Sequence, residues 1–118
     1  GEDATDEFLH EQLPGLFSVV VEPSEARPGV QEPTMVTGFD VFLIGSADIP
    51  DEEAAELART LHAHFDTLRE DYPPLRAAQA DEVAAATNTV PYHPGAVAFY
   101  KDQGLWTDAN DAREAGLD

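Results

Sequence analysis

The chain has 118 residues, six Lys+Arg against 24 Asp+Glu, a formal charge of −18 and no Cys. So acidic a chain lacks the basic surface that neutralises phosphates, which excludes a nucleic-acid binder of the usual kind. Without thiols there is no disulfide framework, no thiolate catalysis and no Cys-ligated zinc or iron–sulfur centre.

Leu, Ile, Val and Phe together number 27, above the roughly 20% level below which chains tend to stay disordered. One globular domain across the whole chain is expected, with acidic ends over 1–7 and 107–118 that fray. No apolar run, Val41-Phe42-Leu43-Ile44 included, comes near the roughly 20 residues of a membrane span. The chain begins at Gly1 rather than Met, as a processed chain or a piece would, so any signal peptide is expected to be gone already. Five Arg stand against the single Lys101 among these many carboxylates. That balance suits a very salty milieu, where a Debye length of about 3 Å screens the self-repulsion of the acidic surface.

In chain order, Phe8, Leu9 and Leu13 fall at helical spacing before Pro14-Gly15 stops the pattern. Leu16 to Val21 is β-branched and reads as a strand; Glu22 to Pro33, with three prolines and Gly29, reads as irregular. Thr34 to Ile44 predicts a longer strand with Gly38 as a bend or bulge. Asp48 is placed to cap a helix with Pro50 in its first turn, and Glu52 and Glu53 suit the positive end of the dipole. Leu57, Leu61, Phe65 and Leu68, with Ala54 and Ala58 alongside, predict one amphipathic helix over about Asp51 to Glu70. Tyr72-Pro73-Pro74 ends it. Asp81 is then expected to cap a short Ala-rich helix over Glu82 to Ala86, closed by Thr87-Asn88-Thr89. A final helix starts near Pro94, with Lys101 in its last turn and Gly104 just past its end, and Leu105 and Trp106 fold back on it. From Thr107 onward the chain either frays or makes one more turn. The fold class expected is α/β, a small sheet with about four helices.

Few residues offer chemistry. His62 and His64 lie two apart, about 200° around a helix, and cannot share an ion. His62 with Asp66 has workable spacing, but structural zinc wants four ligands, so no metal is expected. The stretch from Asp108 places oxygens at the first and third positions of a calcium loop but has Ala112 at the fifth and lacks the required glycine, so no EF-hand is expected. Ser18, Ser24 and Ser46 have no recognisable base and sit in no nucleophile elbow. No catalytic residue and no cofactor is assigned, and the chain is read as not an enzyme. Arg27, beside Pro28-Gly29 in a non-helical stretch, is the best ligand-facing candidate, because such a turn offers a guanidinium and free backbone N–H groups to a carboxylate. The plainer alternative pairs Arg27 with Glu22, Glu25 or Glu32 at the surface. His93, Pro94 and Gly95 mark a helix start, where His93 either caps the N–H groups or coordinates a ligand, the plainer alternative being a buried hydrogen-bonding residue, and Gly95 allows close backbone approach.

From about Val20 to Trp106 the chain resembles the carboxy-terminal third of the TAXI-type solute receptors of tripartite ATP-independent periplasmic (TRAP) transporters. The residues that carry the resemblance are Arg27-Pro28-Gly29 followed by Gln31-Glu32-Pro33, the run from Leu43 through Ile49-Pro50-Asp51-Glu52, and Pro91-Tyr92-His93-Pro94-Gly95-Ala96 leading to Tyr100, Gly104 and Trp106. The resemblance implies the carboxy-terminal part of a type II periplasmic-binding-protein fold. It also implies an extracytoplasmic location, a small solute such as an amino acid or carboxylate, and TRAP permease membrane subunits as partners. At the place of Arg27 the family usually carries Tyr. Such receptors are longer than this chain, whose two or three strands leave open sheet edges. Pairing into a homodimer would cover them, and a non-catalytic interaction or dimerisation module is the alternative function.

Overall fold

The computed structural model describes residues 5–117. It is a mixed α/β structure of five α-helices and one two-stranded antiparallel sheet. The chain divides into two compact units, Gly1–Phe42 and Leu43–Asp118.

In the first unit, helix α1 (Asp6–Gln12) begins where Thr5 Oγ1 accepts the Phe8 N–H at 3.2 Å. Pro14 and Gly15, the latter at φ 94°, turn the chain into strand β1 (Leu16–Val21). Asp6 reaches from the first turn of α1 to β1 and accepts both the Ser18 hydroxyl, at 2.5 Å, and the Ser18 N–H, at 2.6 Å. The hydroxyl, then the N–H, hold the Asp6 carboxyl below its ordinary 3.8.

Strand β2 (Thr34–Phe39) pairs with β1 from Leu16↔Phe39 to Val21↔Thr34. It is shorter than its sequence pattern predicts: the strand stops at Phe39 rather than Ile44. The reason is the partner, since β1 begins at Leu16, opposite Phe39 and directly after Pro14-Gly15, so the ladder with β1 ends there. Val41, Leu43 and Ile44 are accordingly exposed. Gly38 is no bulge either; it sits in register opposite Phe17. A Cβ there would lie 2.7 Å from Phe17 Cε2, so glycine makes the seat on which the aromatic ring lies across the strands.

In the second unit, Ser46 to Ile49 forms a turn, with the Ile49 N–H on the Ser46 carbonyl at 3.3 Å. Contrary to the expectation from its position, Asp48 does not cap the next helix; its own N–H is held by Ser46 Oγ at 3.2 Å. Helix α2 (Asp51–Ala63) starts after Pro50, which flanks it with non-helical ψ 142° and no side-chain cap. Asp51, Glu52 and Glu53 fill its first turn, where the dipole favours carboxylates.

The single long helix predicted to Glu70 is broken at His64 (φ −106°, ψ 14°), and α3 (Phe65–Asp71) continues from there. One turn before the break the Thr60 hydroxyl bonds back to the Glu56 carbonyl at 2.8 Å, a contact that tends to bend helices. A 3₁₀ turn follows at Pro73–Leu75.

The Ala-rich helix expected over Glu82 to Ala86 is absent; a single 3₁₀ turn, Ala80–Glu82, stands there without a side-chain cap from Asp81. Two side chains satisfy carbonyls of this stretch. Asn110 Nδ2 donates to Ala84 O and the Tyr92 hydroxyl to Ala85 O, each at 2.9 Å.

Helix α4 (Pro94–Asp102) has Pro94 at its start, Lys101 in its last turn and Gly104 (φ 70°) just beyond. The acidic tail does not fray: Thr107 and Asn110 form a capping box that opens α5 (Asp108–Ala115). The core of this unit lies between α2 and α4. Ala54 and Ala58 are buried on α2, and Phe99 and Gly95 on α4. Arg59 stacks its guanidinium over Phe99 at 5.8 Å, and the His62 ring meets Phe99 edge-on at 5.8 Å.

Candidate functional site

Arg27 sits in a turn of the first unit between β1 and β2. Its N–H bonds to the Ser24 carbonyl and its own carbonyl accepts the Val30 N–H, both at 2.9 Å. Arg27, Pro28 and Gly29 are all exposed, and a Cβ on Gly29 would meet nothing within 4 Å. Among the described residues no ion pair joins Arg27 to Glu22, Glu25 or Glu32; Arg59 pairs with Glu56, Arg69 with Asp66 and Lys101 with Asp111, while the exposed Arg76 is, like Arg27, in no ion pair among them. The turn therefore presents an uncommitted guanidinium to solvent.

The second group of candidate residues lies in the other unit. His93 Nδ1 accepts the Gly95 N–H at 3.2 Å, capping α4, while Nε2 stands 2.9 Å from the Ile49 carbonyl. Those two partners assign the proton to Nε2, which donates to Ile49, and leave Nδ1 as the acceptor. Gly95 is buried, and a Cβ there would lie 2.1 Å from the Asp51 carbonyl oxygen. The His93-Pro94-Gly95 run thus brings the start of α4 against the start of α2 and uses the imidazole to hold it. Its polar atoms are spent inside the fold.

Other candidates are committed elsewhere. His62 faces Phe99 and Asp66 pairs with Arg69 at 3.3 Å, so the His62–Asp66 spacing yields no joint site. Among the described residues no group of three or more His, Asp or Glu is arranged to hold a metal ion. The stretch from Asp108 is helix α5 rather than a calcium loop. Ser18 donates its hydroxyl to the Asp6 carboxylate.

A polar cluster that the sequence reading did not single out surrounds Asn88, which is 2% exposed. Asn88 Nδ2 donates to Val90 O at 2.9 Å and to Glu114 Oε1 at 2.7 Å, and the same Glu114 oxygen accepts the Tyr92 N–H at 3.2 Å. Arg113 Nε donates to Asn88 O at 2.7 Å. Beside it Tyr92 meets Tyr100 and Trp106 edge-on at 5.9 and 5.5 Å, and burial pushes the Tyr100 hydroxyl's pKa up. The only local signal was the Thr107-x-x-Asn110 spacing of a capping box; the partners of Asn88 lie 25 and 26 residues away.

Among the described residues no helix is long and apolar enough to cross a membrane. The chain matches the NMT1-like family over residues 2–104, and it belongs to that family, a group of the periplasmic-binding-protein type. Membership points to the solute-binding component of a transporter, generally non-catalytic and extracytoplasmic, with a small-molecule ligand and transporter partners. Comparison with curated proteins and with solved structures returns no match.

Proposed function

We propose that the chain forms part of a solute receptor of the TAXI type serving a TRAP transporter, and that it receives a small organic anion or amino acid through the Arg27-Pro28-Gly29 turn. The observation that carries this reading is the Arg27 guanidinium, exposed and without an ion pair among the described residues of a chain with 24 carboxylates. A planar guanidinium over a Pro-Gly turn is suited to bidentate capture of a carboxylate. His93, Pro94 and Gly95 act as scaffold, TRAP permease subunits are the membrane partners, and the working milieu is extracytoplasmic and of high salt. Solute binding needs no cofactor or metal in this reading.

A second reading, an interaction or homodimerisation module, draws on the exposed apolar residues Val19, Val20, Met35, Val36 and Phe39 of the β1–β2 sheet. Open sheet edges with apolar faces invite pairing with another chain.

A thermal-shift screen in roughly 2 M salt, where carboxylate repulsion is screened, separates the two. A bound solute at about 100 times its Kd adds about 2.7 kcal/mol, a rise of roughly 10 °C or more for a chain of this size. Dicarboxylates or amino acids are expected to raise Tm while neutral sugars do not, and Arg27→Ala, by weakening binding about tenfold or more, is expected to cut the rise to about half or less. A melt that no solute moves, with Tm increasing with protein concentration, would favour the module instead.

A further inference from the structure

From Val83 to Tyr92 the chain forms neither helix nor strand, yet Val83 to Thr87 is half-buried and Asn88 is almost fully buried. Buried backbone groups must find partners. Much of what this stretch finds comes from one side of α5: Asn110 for the Ala84 carbonyl, Arg113 for the Asn88 carbonyl, and Glu114 for the Asn88 amide and the Tyr92 N–H. On its flank Asp111 accepts the Trp106 indole N–H at 2.9 Å and stands 3.3 Å from Lys101 Nζ, which ties α5 to the end of α4.

Two features set α5 apart from the α2–α4 core. It lies wholly beyond residue 104, where the match to the NMT1-like family ends. Its only buried residue is the polar Asn110, so hydrogen bonds that water can replace hold it in place, rather than apolar burial. The docked arrangement also leaves Asn88 Oδ1 buried without a hydrogen-bond partner among the described residues, a local cost that undocking relieves.

We propose that α5 is a releasable polar strap: docked, it imposes the conformation of residues 83–92, and released, it lets that stretch open while the α2–α4 pair stays folded. Opening in such local units, at lower free energy than global unfolding, is how loosely packed segments of native proteins behave. The strap thereby controls access to the backbone of residues 84–92 and to the Tyr92 and Trp106 rings beside α4.

Native-state hydrogen exchange on the 118-residue chain tests this. In the unaltered protein the Tyr92 amide, bonded to Glu114, is expected to exchange at least about tenfold faster than the Val97 and Gln103 amides of α4, through a local opening that denaturant barely accelerates. Asn110→Ala, which removes the bond from α5 to Ala84, is expected to speed Tyr92 exchange by a further tenfold or so and leave Val97 and Gln103 within about twofold. Trp106 emission shifts in parallel as its indole loses Asp111. Equal exchange of Tyr92 and Val97 in the unaltered protein would overturn the proposal. So would Asn110→Ala leaving Tyr92 untouched, or accelerating all three amides by the same factor, since α5 would then be one piece with the core.

Discussion

Replacing Gly95 with alanine should cost this protein about 3 kcal/mol, the upper end of what overpacking a core usually costs. The added Cβ would stand 2.1 Å from the Asp51 carbonyl oxygen, 2.8 Å from its carbon and 2.9 Å from its Cα. All three are backbone atoms at the start of α2, so no rotamer change makes room. Restoring contact distances of about 3.5 Å or more requires the two helix starts to part by roughly 1 Å or more, the oxygen alone needing about 1.4 Å. A gap of that size forfeits a quarter to a half of the local dispersion attraction, and the atoms that lose it include Phe99, Ala54 and Ala58, the buried apolar residues of this unit. With a urea slope of about 1.5 kcal/mol/M, within the usual range for a small protein, the unfolding midpoint followed by circular dichroism should fall by about 2 M. Gly29→Ala is the control, because nothing lies within 4 Å of its Cβ and its backbone is not at positive φ. It should leave stability unchanged or raise it by up to about 1 kcal/mol. A Gly95→Ala midpoint within error of the unaltered chain would refute the close approach of α4 to α2.

His93→Ala removes both the cap on Gly95 and the bond to Ile49, and should cost about 2 kcal/mol in the same assay; His93→Asn, which can still cap, should recover about half. Asp111 is held below its ordinary 3.8 chiefly by the Trp106 indole N–H and then by Lys101. A carboxyl lowered in the folded state contributes stability that is present above its unfolded value near 3.8 and is lost as pH falls through the folded value. Trp106 emission should therefore hold steady down to about pH 4 and shift below it, and Asp111→Asn should abolish that step while leaving the fold intact. Finally, raising salt from about 0.1 M to 2 M shrinks the Debye length from about 10 Å to below 3 Å, and Tm should climb by roughly 10 °C as the repulsion among 24 carboxylates is screened. A Tm flat or falling with salt would remove the case for a high-salt milieu.

Local rules reached the parts of the fold that local chemistry decides. Pro94 opening α4 and Gly104 closing it follow from a fixed φ and a positive φ at those two residues. What depends on a distant partner was hidden. The end of β2 at Phe39 is set by where β1 begins, and residues 82–86 take their partners at the Ala84 and Ala85 carbonyls from Asn110 and Tyr92, up to 26 residues away. On α2 the leucine stripe was conspicuous, yet Leu57 is exposed and the small Ala54 and Ala58 are buried. Close approach of α4 at Gly95 admits only small side chains, and periodicity alone cannot weigh that. Of the site, Arg27 was visible as a cation in an irregular turn, and the structure adds its exposure and the absence of an ion pair among the described residues. The Asn88 cluster was invisible, because Asn88 and Glu114 meet across 26 residues.

The central claim is that this chain receives an organic anion at Arg27, and isothermal titration of glutamate and a series of dicarboxylates into the chain at roughly 2 M salt tests it most directly. The account predicts saturable binding of at least one of these anions, weakened by about tenfold or more in Arg27→Ala, as loss of a charge-assisted bond would do. Saturable binding that Arg27→Ala leaves unchanged, or no heat from any of these anions in a folded chain, would contradict it.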